Sequence, residues 1–305
     1  MPCGVSVRGR LLTWALRRWV KPNSLGGHDV AAARAMTDRV PFGAKLPNTW
    51  RVRPVSEGAL QGEWIEPEAA DHPERQRCIL YFHGGAYIAM SAKSYRAITS
   101  RLAVGSDAPL FALDYRLAPE HPFPAALDDA LAAYRALLAA GTPPRRIVVA
   151  GDSAGGGLAL ALLIALRDAN EAMPAAAVLF SPWTDLAATG QSLVDNNAAD
   201  ALFFGSFIAP VAQHYLADTP GTHPLASPVY ADLTGLPPFL VQVSASEVLL
   251  DDSRRVADNA RRAGVDVTLR VWPDLPHVWQ FFATLMPEGR AALREATGYI
   301  KGRLS

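Results

Sequence analysis

Two textures alternate along this chain. Short runs dominated by apolar residues, "ILYF", "LFAL", "IVVA", "AVLF" and "FLVQV", are bounded by turn residues. Their length and β-branched or aromatic content predict strands covered on both faces. Between them lie longer segments of helical spacing: "YRAITSRLAVGS", "PFPAALDDALAAYRALLAAG", "GGGLALALLIALRDAN" and "DDSRRVADNARRAG". A late strand "VTLRVWP" and a closing helix from about Glu288 to Lys301 complete the series. This alternation predicts an α/β fold, a mostly parallel sheet with helices on both faces. Upstream, "TWRVRPV" and "LQGEWIEP" alternate polar and apolar positions around Gly58, which predicts an antiparallel edge.

Two stretches fall outside the alternation, residues 1–45 and 186–222. The first holds a helix in which Leu11, Leu12, Ala15, Leu16 and Trp19 recur on one side, expected to pack on the body, and a second, "DVAAARAMTDRV", stopped near Pro41. The second is a helical stretch between polar loops. Both are placed to form a cap over one end of the sheet. The expected organisation is N-terminal cap helices over 1–45, a main α/β domain over 46–185 and 223–305, and a cap insertion over 186–222.

Composition narrows the function classes. Half of the 305 residues are apolar, and 29 basic side chains balance 29 acidic ones. No net charge or basic run points to nucleic acid. The N-terminal apolar segment is short and broken by Arg17 and Arg18, so neither an export signal nor stable membrane insertion is expected. A cytoplasmic protein is the default. Cys3 and Cys78 have no metal-site spacing and read as a loose and a buried thiol.

The chemistry is carried by glycine-framed turns. "IVVAGDSAGGGLAL" sets Ser153 between Gly151 and Gly155, at the junction of a buried strand and a helix. A very sharp strand-to-helix turn crowds those flanking positions and pushes the serine hydroxyl out of the sheet edge. It also brings helix N-terminal amides to where negative charge develops. Gly156 and Gly157 are expected to let the helix pass close to neighbouring backbone. No phosphate-binding glycine motif is present. In "LYFHGGAYIAM" a buried strand ends in His83-Gly84-Gly85. Successive small residues can aim backbone N–H groups at a ligand. Gly84, Gly85 and Ala154 are therefore the expected oxyanion donors, with His83 in a structural role.

These residues resemble a known family. His-Gly-Gly followed about 70 residues on by Gly-Asp-Ser-Ala-Gly, with "DYRLAPEHPFPAALDD" between, is similar to the bacterial hormone-sensitive-lipase-like esterases of the α/β-hydrolase superfamily. The resemblance spans about residues 75 to 282. It implies the α/β-hydrolase fold, with an eight-stranded sheet and a helical cap. It also implies a carboxylesterase acting on short- to medium-chain esters. Many relatives have a third glycine where this chain has Ala86.

A serine nucleophile needs a base and an acid. Of seven histidines, His28, His72, His214 and His223 sit in polar or capping stretches, His121 in a turn and His83 in the glycine loop. His277 alone follows a late strand on a proline-bounded loop, where a base could reach the serine. Phe281 and Phe282 beyond it read as packing residues. The acid should lie between residues 153 and 277, after a core strand. "QVSASEVLLDD" offers Glu247, Asp251 and Asp252, the last two also suited to a helix start. The family resemblance lays its usual acid on Glu247, 30 positions before His277, and so implies a Ser153–His277–Glu247 triad. No metal or organic cofactor is expected. The expected partner is a small hydrophobic ester, and relatives of this kind are often homodimers. An amidase or lactonase would use the same triad; a non-catalytic ligand-binding homologue would be expected to lack His277.

Overall fold

In a computed structural model of the chain, residues 4–24, 29–37, 45–69 and 77–305 are described. Cys3, His28, His72 and the expected helix stop at Pro41 lie outside them. The described strands are β1 (Trp50–Glu57), β2 (Leu60–Pro67), β3 (Cys78–Phe82), β4 (Leu110–Leu113), β5 (Ile147–Asp152), β6 (Ala176–Phe180), β7 (Phe239–Ser244) and β8 (Val267–Trp272). They form one eight-stranded sheet in the order β1-β2-β4-β3-β5-β6-β7-β8. β2 pairs antiparallel with both β1 and β4, while β4, β3 and β5 to β8 run parallel. The α-helices are α1 (Val7–Ala15), α2 (Val30–Thr37), α3 (Arg96–Ser106), α4 (Ala125–Ala139), α5 (Ser153–Asp168), α6 (Ser192–Asp195), α7 (Ile208–Leu216), α8 (Leu250–Arg262) and α9 (Pro287–Leu304).

Successive residues of the central strands point to opposite faces, which explains why these strands are apolar throughout. Leu80, Phe82, Val149 and Leu179 pack with α4, α5 and α8. Ile79, Tyr81, Val148 and Val178 pack with α3 and α9. Each fully buried large side chain contributes about 1.5–3 kcal/mol. Cys78 is buried in this core and has no disulfide partner among the described residues.

The register brings the motifs to one sheet edge. Phe82 lies opposite Gly151, Asp152 opposite Phe180, and Phe180 opposite Gln242. The loops that carry His83, Ser153, Ser181 and Glu247 therefore leave the sheet side by side, at the carboxyl ends of parallel strands.

The N-terminal segment and the 186–222 stretch are bonded to each other at this edge. Arg17 donates to the Ala199 carbonyl and, at 2.7 Å, to Asp274. The buried Lys21 ammonium donates to the Asn197 carbonyl and, at 3.0 Å, to that of Asp200, and lies over the Phe204 ring. Here one expectation is corrected. Leu16 is buried and Leu12 and Ala15 are half-buried, but Leu11 and Trp19 face solvent. Leu11 is outward because α1 buries its Gly9–Thr13 side, and for Trp19 the cause is a π-helical turn over Leu16–Val20 that continues α1. Its wider turn breaks the 3.6-residue period and brings Trp19 under Trp14, with ring centroids 4.9 Å apart. Among the described residues no helix is long and apolar enough to cross a membrane.

Candidate active site

The turn from β5 into α5 holds Ser153 at φ +50°, a conformation that non-glycine residues rarely adopt. The flanking glycines are dictated by contact. A Cβ on Gly155 would stand 2.1 Å from the Phe82 carbonyl oxygen, and one on Gly151 2.3 Å from that of Gly155. Gly157 passes equally close to the Trp183 carbonyl, as the sequence suggested. Gly155→Ala must therefore push β3 and α5 apart. It is expected to destabilise the protein by about 3 kcal/mol, seen by calorimetry as a fall in Tm of roughly 6 °C.

The loop after β3 is wound by a run of left-handed residues. Gly85 has φ +111°, Ala86 +55° and Tyr87 +64°. Ala86 thus adopts the conformation that glycine would accept more easily. His83 is buried, with Nδ1 2.6 Å from the Gly84 carbonyl and its ring stacked on Tyr115 at 4.3 Å. Burial lowers its pKa to about 4, so it stays neutral, as its structural role requires.

One expected donor is corrected. The Gly84 N–H donates to Asp152 Oδ1 at 3.0 Å, so it is not free for a substrate oxyanion. The Gly85 and Ala86 N–H groups have no hydrogen-bond partner among the described residues, and Ala154 sits in the first turn of α5. Asp152 is fully buried; it also accepts from the Tyr81 hydroxyl at 2.7 Å. Burial pushes its carboxyl up to about 6, opposed by the Tyr81 and Tyr95 hydroxyls. It fastens the glycine loop to the serine turn, a role that sequence alone leaves open.

His277 and Glu247 meet. His277 Nδ1 lies 2.6 Å from Glu247 Oε2 with both side chains buried. The other carboxylate oxygen accepts from Ser181 Oγ at 2.8 Å and the Ser244 N–H at 2.7 Å. These two bonds, from the ends of β6 and β7, fix the carboxylate and leave Oε2 for the imidazole. Burial lowers the His277 pKa, but the charge and hydrogen bond of Glu247 outweigh it, with smaller help from Asp200 and Asp152, and the net direction is up. His277 Nε2 is buried without a hydrogen-bond partner among the described residues and, like Ser153, belongs to the wall of one cavity.

Asp251 and Asp252 do other work. Both lie in the first turn of α8. Asp251 accepts from the Ser192 N–H at 2.8 Å, and Asp252 from the N–H groups of Thr184 and Asp185 at 2.7 and 2.8 Å. They tie the helix to the 184–192 segment rather than to the imidazole. Sequence reasoning missed Asp200. Its Oδ2 accepts from the Val248 N–H beside Glu247, and its Oδ1 from Leu202 and Phe203. Phe203 sets its ring edge-on to His277 at 5.1 Å. Two of these bonds are local, but the one that brings Asp200 beside Glu247 comes from Val248, far along the chain, and nothing in the local pattern marks it.

The cavity holds about 330 Å³. Its wall joins the sheet-edge loops to Val20, Leu202, Phe203, Phe207, Ile208 and Val211 from the two segments outside the alternation. Phe281 and Phe282 line it too, so they are not packing residues alone. Among the described residues no group of three or more His, Cys, Asp or Glu could hold a metal.

An eight-stranded, mostly parallel sheet with a strained serine on its central strand-to-helix turn defines an α/β hydrolase. A family model described as the α/β hydrolase fold matches residues 79–281. An acetyl-hydrolase of Streptomyces hygroscopicus is 47% identical over 81% of this chain and 81% of its own. An esterase of Acinetobacter venetianus is 39% identical over 81% and 80%. Among solved structures, an esterase of the bacterial hormone-sensitive lipase family is 39% identical with a TM-score of 0.87, covering 99% of this chain and 100% of that one. EstE5 soaked with p-nitrophenyl butyrate is 36% identical with a TM-score of 0.90, covering 98% and 99%. The chain belongs to the α/β-hydrolase fold family, in its bacterial hormone-sensitive-lipase-like branch.

Proposed function

We propose that this protein is a serine carboxylesterase that hydrolyses short- to medium-chain esters through an acyl-enzyme. The observation that carries the reading is a buried His277–Glu247 pair whose free imidazole nitrogen shares one apolar cavity with Ser153. His277 takes the Ser153 proton as the hydroxyl attacks the ester carbonyl. Glu247 holds the imidazole tautomer and stabilises its charged form. The N–H groups of Gly85, Ala86 and Ala154 receive the oxyanion. The alcohol leaves with the proton from His277, and water cleaves the acyl-serine by the same route. In this reading residues 1–45 and 186–222 are the cap over a catalytic domain of 46–185 and 223–305. The working location is the cytoplasm.

Ser153 Oγ and His277 Nε2 make no hydrogen bond to each other, a distance that commonly closes only with substrate bound. A panel of p-nitrophenyl esters from acetate to decanoate tests the reading, with a p-nitroanilide and a lactone in parallel. Turnover is expected to peak at short to medium chains. Binding of a hydrophobic ligand without turnover of any ester would reject it, and faster anilide or lactone cleavage would reassign the substrate.

The base must be neutral to accept a proton. Because the net shift of His277 is upward, activity is expected above its folded pKa and lost as pH falls through it. The acid limb of kcat/KM should have its midpoint above the ordinary histidine value of about 6.5. Glu247→Gln removes the charge while burial remains, so the midpoint should move down.

A further inference from the structure

The apolar stripe of α1 lies on the wrong side for a helix that only packs on the body. Val7, Leu11 and Trp14 follow one another at helical spacing and are 62%, 61% and 53% exposed. Trp19, brought under Trp14 by the π turn, is 56% exposed. Cations flank the stripe: Arg8, Arg10 and Arg18 are all exposed. No acidic residue occurs between Gly4 and Ser24. Among the described residues, the carboxylates hydrogen-bonded to this segment are already paired. Glu288 accepts from the Ser6 N–H at 2.6 Å, and Asp274 from Arg17 at 2.7 Å. Lys21 is buried against backbone carbonyls. The helix is thus pinned by its inner face and presents tryptophan, leucine and arginine outward.

We propose that this outward face docks the protein on an anionic lipid surface. Tryptophan and leucine seat in the headgroup and upper acyl region, and arginine side chains reach the phosphates above them. A second copy of the chain is a poor occupant. A two-fold contact between identical patches would set arginine against arginine with no carboxylate to offset it. The segment also reaches the reaction cavity, because Val20 is 41% exposed and lines that cavity. Docking therefore brings the cavity wall to the lipid, and esters partitioned at that surface become the favoured substrate class. This last step rests on the esterase reading; the docking does not.

The test is flotation of the intact protein with vesicles of phosphatidylcholine alone and of phosphatidylcholine with phosphatidylglycerol. Ser153→Ala is run beside the wild type so that binding is read without turnover. Wild type and Ser153→Ala should float with the anionic vesicles, and high salt should release both. Leu11→Glu/Trp14→Glu and Arg8→Glu/Arg10→Glu should each lower that partition by about 10-fold or more, with p-nitrophenyl butyrate turnover in solution unchanged. No flotation, equal flotation with neutral vesicles, or variants that float like wild type would overturn the proposal. So would a dimer in sedimentation velocity that Leu11→Glu/Trp14→Glu abolishes while vesicles stay unbound. Flotation as described with no ester turnover by the wild type would sink the esterase reading and leave the docking standing.

Discussion

Replacing Ser153 by alanine is expected to lower kcat by about 10⁶-fold on any p-nitrophenyl ester that the wild type cleaves. The size follows from what is lost. Without the hydroxyl there is no acyl-enzyme, and His277 and Glu247 have no proton to move. The glycine loop and the α5 amides remain, so a residual rate above the uncatalysed one should persist. Folding should not confuse the result, because alanine removes one oxygen from a half-buried side chain. Two further readings make it specific. A sulfonyl fluoride should add one covalent mass to the wild type and none to Ser153→Ala. Pre-steady-state turnover of a slow ester should show a burst in the wild type only. Activity within ten-fold of wild type would mean that the nucleophile lies elsewhere.

The parts of this site that sequence made visible are those enforced by steric exclusion or by double burial. Strands such as "ILYF" and "IVVA" are apolar at every position because both sheet faces are covered. The glycines around Ser153 are legible because a side chain there would strike the Phe82 carbonyl or the turn itself. Backbone direction was not legible. His83-Gly84-Gly85 announces a loop of amides, but which N–H turns toward Asp152 depends on three successive left-handed residues after Gly84. The outward place of Trp19 was hidden for a related reason, since a periodicity of 3.6 cannot anticipate a π turn. Asp200 escaped because the bond that sets it beside Glu247, from the Val248 N–H, is made only by the fold. Glu247 stands between these cases. Its place after β7 made it one of three candidates, and only the family resemblance singled it out.

Those three carboxylates give the second large prediction. Glu247→Ala is expected to cut kcat by about 10⁴-fold, the scale on which a base loses its orienting acid. Asp251→Ala should stay within a few-fold of wild type, since it releases one N–H bond to Ser192 in a partly exposed position. Asp252→Ala should separate stability from catalysis. It leaves the Thr184 and Asp185 N–H groups buried without their acceptor, at about 1–3 kcal/mol each, so Tm falls while kcat per folded molecule is largely kept. Glu247→Asp is the informative conservative change. The carboxylate now receives Ser181 Oγ, Ser244 N–H and the imidazole together. A side chain one methylene shorter cannot reach all three from the same backbone. If the loop shifts to let aspartate meet His277, kcat should recover most of the loss and Tm should fall as the Ser181 and Ser244 bonds weaken. If it does not shift, kcat should resemble that of Glu247→Ala. Either result ties the longer acid to the position of this loop, whereas a Glu247→Ala variant with near-wild-type kcat would show that His277 is held by another group.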